Sequence, residues 1–147
     1  MMFRVLLSLA GATLLGACNS SVETGADGNR IVHVGNDITM STHQPPKNLP
    51  AYAPLYPGST FVSGMEMGSG GTVTMLTQDR PAVVIAFYEK LAAEQKLSQK
   101  MGSPPDADGT QADMISQPGT KRNLTVTVGP NHDGEPATKV GLLYGAP

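Results

Sequence analysis

Apolar and polar positions change rhythm along this chain, and each rhythm implies an element. Residues 5–15 are almost wholly apolar behind a short positive start containing Arg4. That run is too short to cross a bilayer, which takes about 20 apolar residues in a helix. Residues 19–30 are polar, rich in Ser, Gly, Asp and Glu, and read as a flexible tether. Residues 31–40 hold two short apolar runs, Ile31-Val32-His33-Val34 and Ile38-Thr39-Met40, around Gly35-Asn36-Asp37. They fit either a small hairpin or a segment that docks late. Prolines at 45, 46, 50, 54 and 57 keep the next stretch extended and free of helix.

Tyr56-Pro57-Gly58 opens a region of clearer periodicity. Residues 61–67 and 72–77 are strand-like and joined by Gly68-Ser69-Gly70-Gly71. Regular alternation puts Phe61, Met65 and Met67 on one face with Val73 and Met75. From 80 to 96 the spacing turns helical, with Val84, Phe87, Tyr88 and Leu91 at three- and four-residue intervals. Asp79 stands where an amino-terminal cap belongs, Pro81 suits the first turn, and Lys96 and Lys100 suit the carboxyl end. A Pro/Asp/Gly loop at 103–110 leads to strands at 112–117 and 121–128. Pro118-Gly119 between them fits a type II turn. Leu124, Val126 and Val128 alternate with Asn123, Thr125 and Thr127, and 138–144 repeats the pattern with Val140, Leu142 and Tyr144.

These elements imply an α+β domain over 53–147. Its sheet is antiparallel, of about four to five strands, with one helix packed on the apolar face. A tether and Pro-rich lead-in precede it over 18–52.

The amino terminus has a further signature. A positive start, an apolar run and small residues before a cut site define a secretory signal, here residues 1–17. The signal ends in Leu15-Gly16-Ala17-Cys18, which resembles the lipobox of bacterial lipoproteins. The resemblance implies a diacylglyceryl group on the Cys18 sulfur, cleavage between Ala17 and Cys18, and acylation (palmitate or a similar chain) of the new amino group. More than one acyl chain anchors stably where a single chain binds marginally. Asn19, an amino acid other than Asp at that position, implies by analogy a place on the outer membrane, facing the periplasm, in preference to the inner membrane.

Composition narrows the chemistry. Formal net charge is -2 and charged residues make up 15%, with no cluster of Lys and Arg that would mark a nucleic-acid surface. Arg80, Lys121 and Arg122 read as solvated charges. Cys18 is the one cysteine, so no internal disulfide forms. Catalytic signatures such as Gly-x-Ser-x-Gly, His-Glu-x-x-His or a phosphate loop are missing, and no enzyme or cofactor is expected. His132 lies in Pro130-Asn131-His132-Asp133-Gly134, a surface-turn composition. Asp106-Ala107-Asp108-Gly109, with Asp113, offers hard oxygens but departs from the EF-hand spacing. Met40, Met65, Met67, Met75, Met101 and Met114 are many for a small domain. Thioethers select Cu(I), and His33 and His43 are possible further ligands. Against this, a core without Trp has use for Met65, Met67 and Met75 as filling.

Residues 50–147 also resemble small, mostly uncharacterised proteobacterial lipoproteins, through Tyr56-Pro57-Gly58 and Phe87-Tyr88-Glu89-Lys90-Leu91 ahead of an antiparallel strand series. The resemblance supports the fold and brings no activity. The chain is therefore expected to be a membrane-anchored periplasmic binding or envelope-assembly accessory without enzymatic activity. Its partners would be the membrane, through Cys18, and an envelope protein. The alternative is a small-ligand or soft-metal, Cu(I), binding protein.

Overall fold

The computed structural model describes residues 20–145 except Asp27, Asn36, His43 and Glu135. Ala17, Cys18 and the signal segment lie outside the described residues. The described residues form nine strands and one helix. In chain order they are β1 (Ser20–Thr24), β2 (Arg30–Val34), β3 (Ile38–Thr42), β4 (Thr60–Met67), β5 (Gly70–Thr77), α1 (Pro81–Glu94), β6 (Gln99–Gly102), β7 (Gln111–Ser116), β8 (Asn123–Pro130) and β9 (Thr138–Gly145). All pair antiparallel in one sheet of order β1-β2-β3-β4-β5-β9-β8-β7-β6.

The expected sheet of four to five strands is thus corrected to nine. The helix on an apolar face stands, and the added strands explain the shortfall. In β1 all five residues are exposed, and in β6 all four are. Neither has a buried face, so neither carries the apolar alternation that announces a strand. Backbone pairing to β2 and β7 holds them. Within the stretch expected as a tether, Ser20–Thr24 are β1 and Arg30 opens β2. Residues 31–40 span β2 and the start of β3, continuous with the rest of the sheet.

The best-packed part is the sheet's inner face. There Val73, Met75, Leu124, Val126, Val128, Val140 and Leu142 are at most 2% exposed. The α1 side chains Val84, Ile85, Tyr88 and Ala92 are buried against this core, and the helix lies over β7 and β8. Pro81 occupies the first turn, where its missing N–H costs nothing. Arg80, not Asp79, takes the cap position. The Asp79 carboxylate instead accepts a hydrogen bond from the Tyr56 hydroxyl at 2.6 Å. At the far end, Lys96 N–H donates to the Ala93 carbonyl and Leu97 N–H to that of Ala92. This stops the helix before Lys96, which has φ of 65°, where glycine is usual.

The Pro-rich lead-in covers a further part of the inner face beside the helix. Pro46 lies over Gly64. Tyr52, Ala53 and Tyr56 are buried, and Tyr52 hydrogen-bonds to the Gly145 carbonyl. The Tyr88 hydroxyl donates to the Pro54 carbonyl at 2.9 Å. Phe87 meets both Tyr56 and Tyr88 edge-on, with centroids 5.2 and 5.0 Å apart. An extended segment thus completes the core that one helix leaves half covered.

Candidate functional site

Cross-strand partners share a face, so the registers show what lies on the side away from the helix. One lateral row crosses the sheet. It begins Val22, Val32, Met40, Met65 and Thr72 on β1 to β5. It continues through Leu143, Thr125, Met114 and Met101 on β9, β8, β7 and β6. A second row starts beside it with Ser20, Val34, Ile38 and Met67. An antiparallel sheet with one packed face ordinarily turns polar residues to water on the other. Here Val22 is 55% exposed, Leu143 46% and Met101 63%, which leaves large apolar groups in solvent.

Charge is divided between the faces as well. The strand acids Glu23, Glu66 and Asp113 pair into inner-face rows with Ile31, Gly71 and Val126. By the same alternation the open-face strand positions carry two charges, Arg30 and Lys139, both positive. Asp37 sits at the rim, in the turn between β2 and β3. Where β2 to β5 adjoin, a groove of about 380 Å³ is lined by Val32, Met40, Met65 and Thr72, with Arg30, Thr42 and Ser63 at one end.

The methionines expected on one inner face are split. A register shift between Phe61 and Ser63 in β4 sets two residues against one. Phe61 pairs with Met75 on the inner side, whereas Met65 pairs with Thr72 on the open side. Buried Met75 accepts through its sulfur from the Tyr56 N–H at 3.3 Å and the Ser59 hydroxyl at 3.4 Å. Met40, Met65 and Met67 gather on the open side of β3 and β4. Met101 and Met114 form a separate cross-strand pair on β6 and β7. The expectation that Met65 and Met67 fill the core therefore fails. His33 does not join the sulfurs: it alternates to the other side of β2 and pairs with Thr39, its Nδ1 3.1 Å from the Thr39 hydroxyl. His43 lies outside the described residues.

The remaining candidates do not converge. Asp106 and Asp108 both accept from the Thr110 N–H, at 2.8 and 3.2 Å, which closes their loop on itself. Hydrogen bonding with Asp106, then with Thr110, holds the Asp108 carboxyl below its usual range. Asp113 is not with them: it is buried in β7, its Oδ2 3.2 Å from Lys100 Nζ. Lys100 also pairs with Glu89 of the helix, and chiefly that contact raises its pKa. Among the described residues no group of three or more His, Cys, Asp or Glu is placed to hold a metal ion. His132 is exposed in its turn. Arg122 turns inward, its guanidinium 4.9 Å from the centre of the Tyr52 ring and hydrogen-bonded to Gln117 at 2.7 Å.

The open face was not legible in the sequence because its apolar residues are scattered over eight strands, with only a few from any one of them. Only the registers assemble them. No protein-family model, curated protein or solved structure matches the chain.

Proposed function

We propose that this chain is a lipid-anchored, non-enzymatic binding module of the bacterial envelope. Cys18 holds it to the outer membrane on the periplasmic side, and the open face of its sheet is the working surface. The observation that carries the reading is the apolar row on that face. It reaches from β1 to β6, broken by Thr72 and Thr125, while helix and lead-in cover the core on the other side. Contiguous apolar groups left in water mark an interaction surface. A photo-crosslinking amino acid in place of Leu143, compared with one in place of Val83 on the helix, tests this in intact cells. Both sites are exposed. Adducts from position 143 at native expression, absent from position 83 and diminished by Cys18→Ser, are the expected result. Equal labelling from both positions would count against the face.

The grouping of Met40, Met65 and Met67 favours one second reading, a thioether site for Cu(I). Soft sulfur ligands suit that ion, and facing strand positions stand about 5 Å apart at Cβ, within reach of one centre. Native mass spectrometry with Cu(I) is expected to add one copper, lost in a Met40→Leu/Met65→Leu variant. An unshifted mass ends this reading.

A further inference from the structure

The open face is most apolar at the corner nearest the proposed anchor. Ser20, Val34, Ile38 and Met67 form one row over β1 to β4, and Val22, Val32, Met40 and Met65 form the row beside it. Seven of these eight positions are apolar, and the exception, Ser20, is the first residue of β1. Cys18 precedes Ser20 by two residues. A chain advances at most about 3.6 Å per residue, so the two Cα atoms lie within about 7 Å of each other. The headgroup layer of a bilayer is itself about 5–8 Å thick on each side. A protein whose acyl chains start at Cys18 therefore holds β1 in or against that layer. No tether separates the sheet from the lipid.

We infer that the β1–β4 corner of the open face seats in a phospholipid headgroup layer, with Val22, Val34, Met40 and Met67 turned toward the acyl chains. The inference rests on the anchoring at Cys18 proposed above. The strand charges agree with this orientation. Glu23 and Glu66 turn to the opposite side of the sheet, and Arg30, the one strand charge on this corner's open side, suits a phosphate. A second copy is a poorer occupant. Two open faces brought together would set Arg30 and Lys139 against their own kind, with no strand carboxylate to answer them.

Strand-to-strand twist of about 20° turns the far half of so wide a sheet away from any plane that fits the near half. Leu143, Met114 and Met101 therefore stay clear of the lipid, and methionine oxidation separates the two halves within one molecule. Met40, Met67 and Met114 have matched exposures of 43%, 40% and 39%, and Met75 is fully buried. Oxidation of methionine follows exposure.

The experiment uses the lipidated protein purified from membranes and reconstituted in vesicles of phosphatidylethanolamine and phosphatidylglycerol. It is treated briefly with peroxide and read by peptide mass spectrometry. Met40 and Met67 are expected to oxidise about fivefold or more slowly than Met114, with Met75 unreactive. Equal rates at Met40, Met67 and Met114 would overturn the seating. Protection of Met40 and Met67 in cells but not in pure vesicles would also overturn it, in favour of a protein occupant. The mass of the peptide that begins at Cys18 separates the two levels of the argument. A lipidated Cys18 with unprotected methionines sinks the seating alone. A Cys18 without lipid sinks the anchoring reading, and the seating with it.

Discussion

Lys96 holds a left-handed backbone with φ of 65° at the end of α1. A Cβ in that region costs about 1 kcal/mol, and glycine carries no such cost. The surrounding stop is already complete, with Leu97 buried and its N–H bonded to Ala92 at 2.9 Å. Lys96→Gly is therefore expected to raise the stability of the fold by about 0.5–1 kcal/mol in urea denaturation. Gly71 is the opposite case. A Cβ there would collide with the Met65 carbonyl and the Tyr144 ring. Gly71→Ala should cost about 2–3 kcal/mol, as overpacking against groups that cannot move does. An unchanged denaturation midpoint would show that the strand shifts to make room. Neither role was legible in the sequence, for different reasons. Helical periodicity ran on to Lys96 because no glycine marked the stop. Gly71 read as part of a loop because nothing in its neighbours announces the ring of Tyr144, more than seventy residues later. Asp79 was misplaced in the same way: its residue type fits a cap, and only the fold brings Tyr56 to take its carboxylate.

Elements were legible in proportion to the asymmetry of their two faces. Strands β8 and β9 alternate buried and open positions almost without fault, and both were placed within a few residues of their true ends. The Pro118-Gly119 turn was equally plain. Gly119 has φ of 74°, and Thr120 N–H donates to the Gln117 carbonyl at 3.2 Å. At the other extreme β1 and β6 have no buried side chain, so backbone pairing is their main support. The bulge in β4 sits between these limits. It preserves the strand but exchanges its faces, which sent Met65 and Met67 to the open side. This gradient has a measurable consequence, because local opening is easiest where few apolar contacts are broken. Hydrogen exchange should be slowest in β5, β9 and β8 and fastest in β1 and β6, which lie at the sheet's two edges. Protection of β1 equal to that of β9 would mean that something beyond the sheet holds that edge.

For the whole molecule, the inner face closes around the chain's four tyrosines, Tyr52, Tyr56, Tyr88 and Tyr144, and all four phenols are pushed above their ordinary pKa. Tyr56 is raised to about 12, first by donating its proton to Asp79 and then by burial. Burial is the leading cause for Tyr52, with Arg122 opposing it, and for Tyr88 and Tyr144. The sign follows from which form the fold prefers. The folded state holds the neutral phenols more tightly than the unfolded chain does. The stability they contribute is therefore complete below pH 10, their unfolded value, and falls as pH climbs from 10 toward 12 and beyond. Three of the four hydroxyls also make specific bonds that ionisation would break, joining lead-in to β9, lead-in to Asp79 and helix to lead-in. Loss of the proton and loss of the packing should then be one event. Tyrosinate absorbance is expected to lag behind that of free tyrosine and to rise together with the loss of the circular-dichroism signal. A smooth rise centred near pH 10 with the fold intact would mean that the lead-in lies open to water and does not close over the inner face.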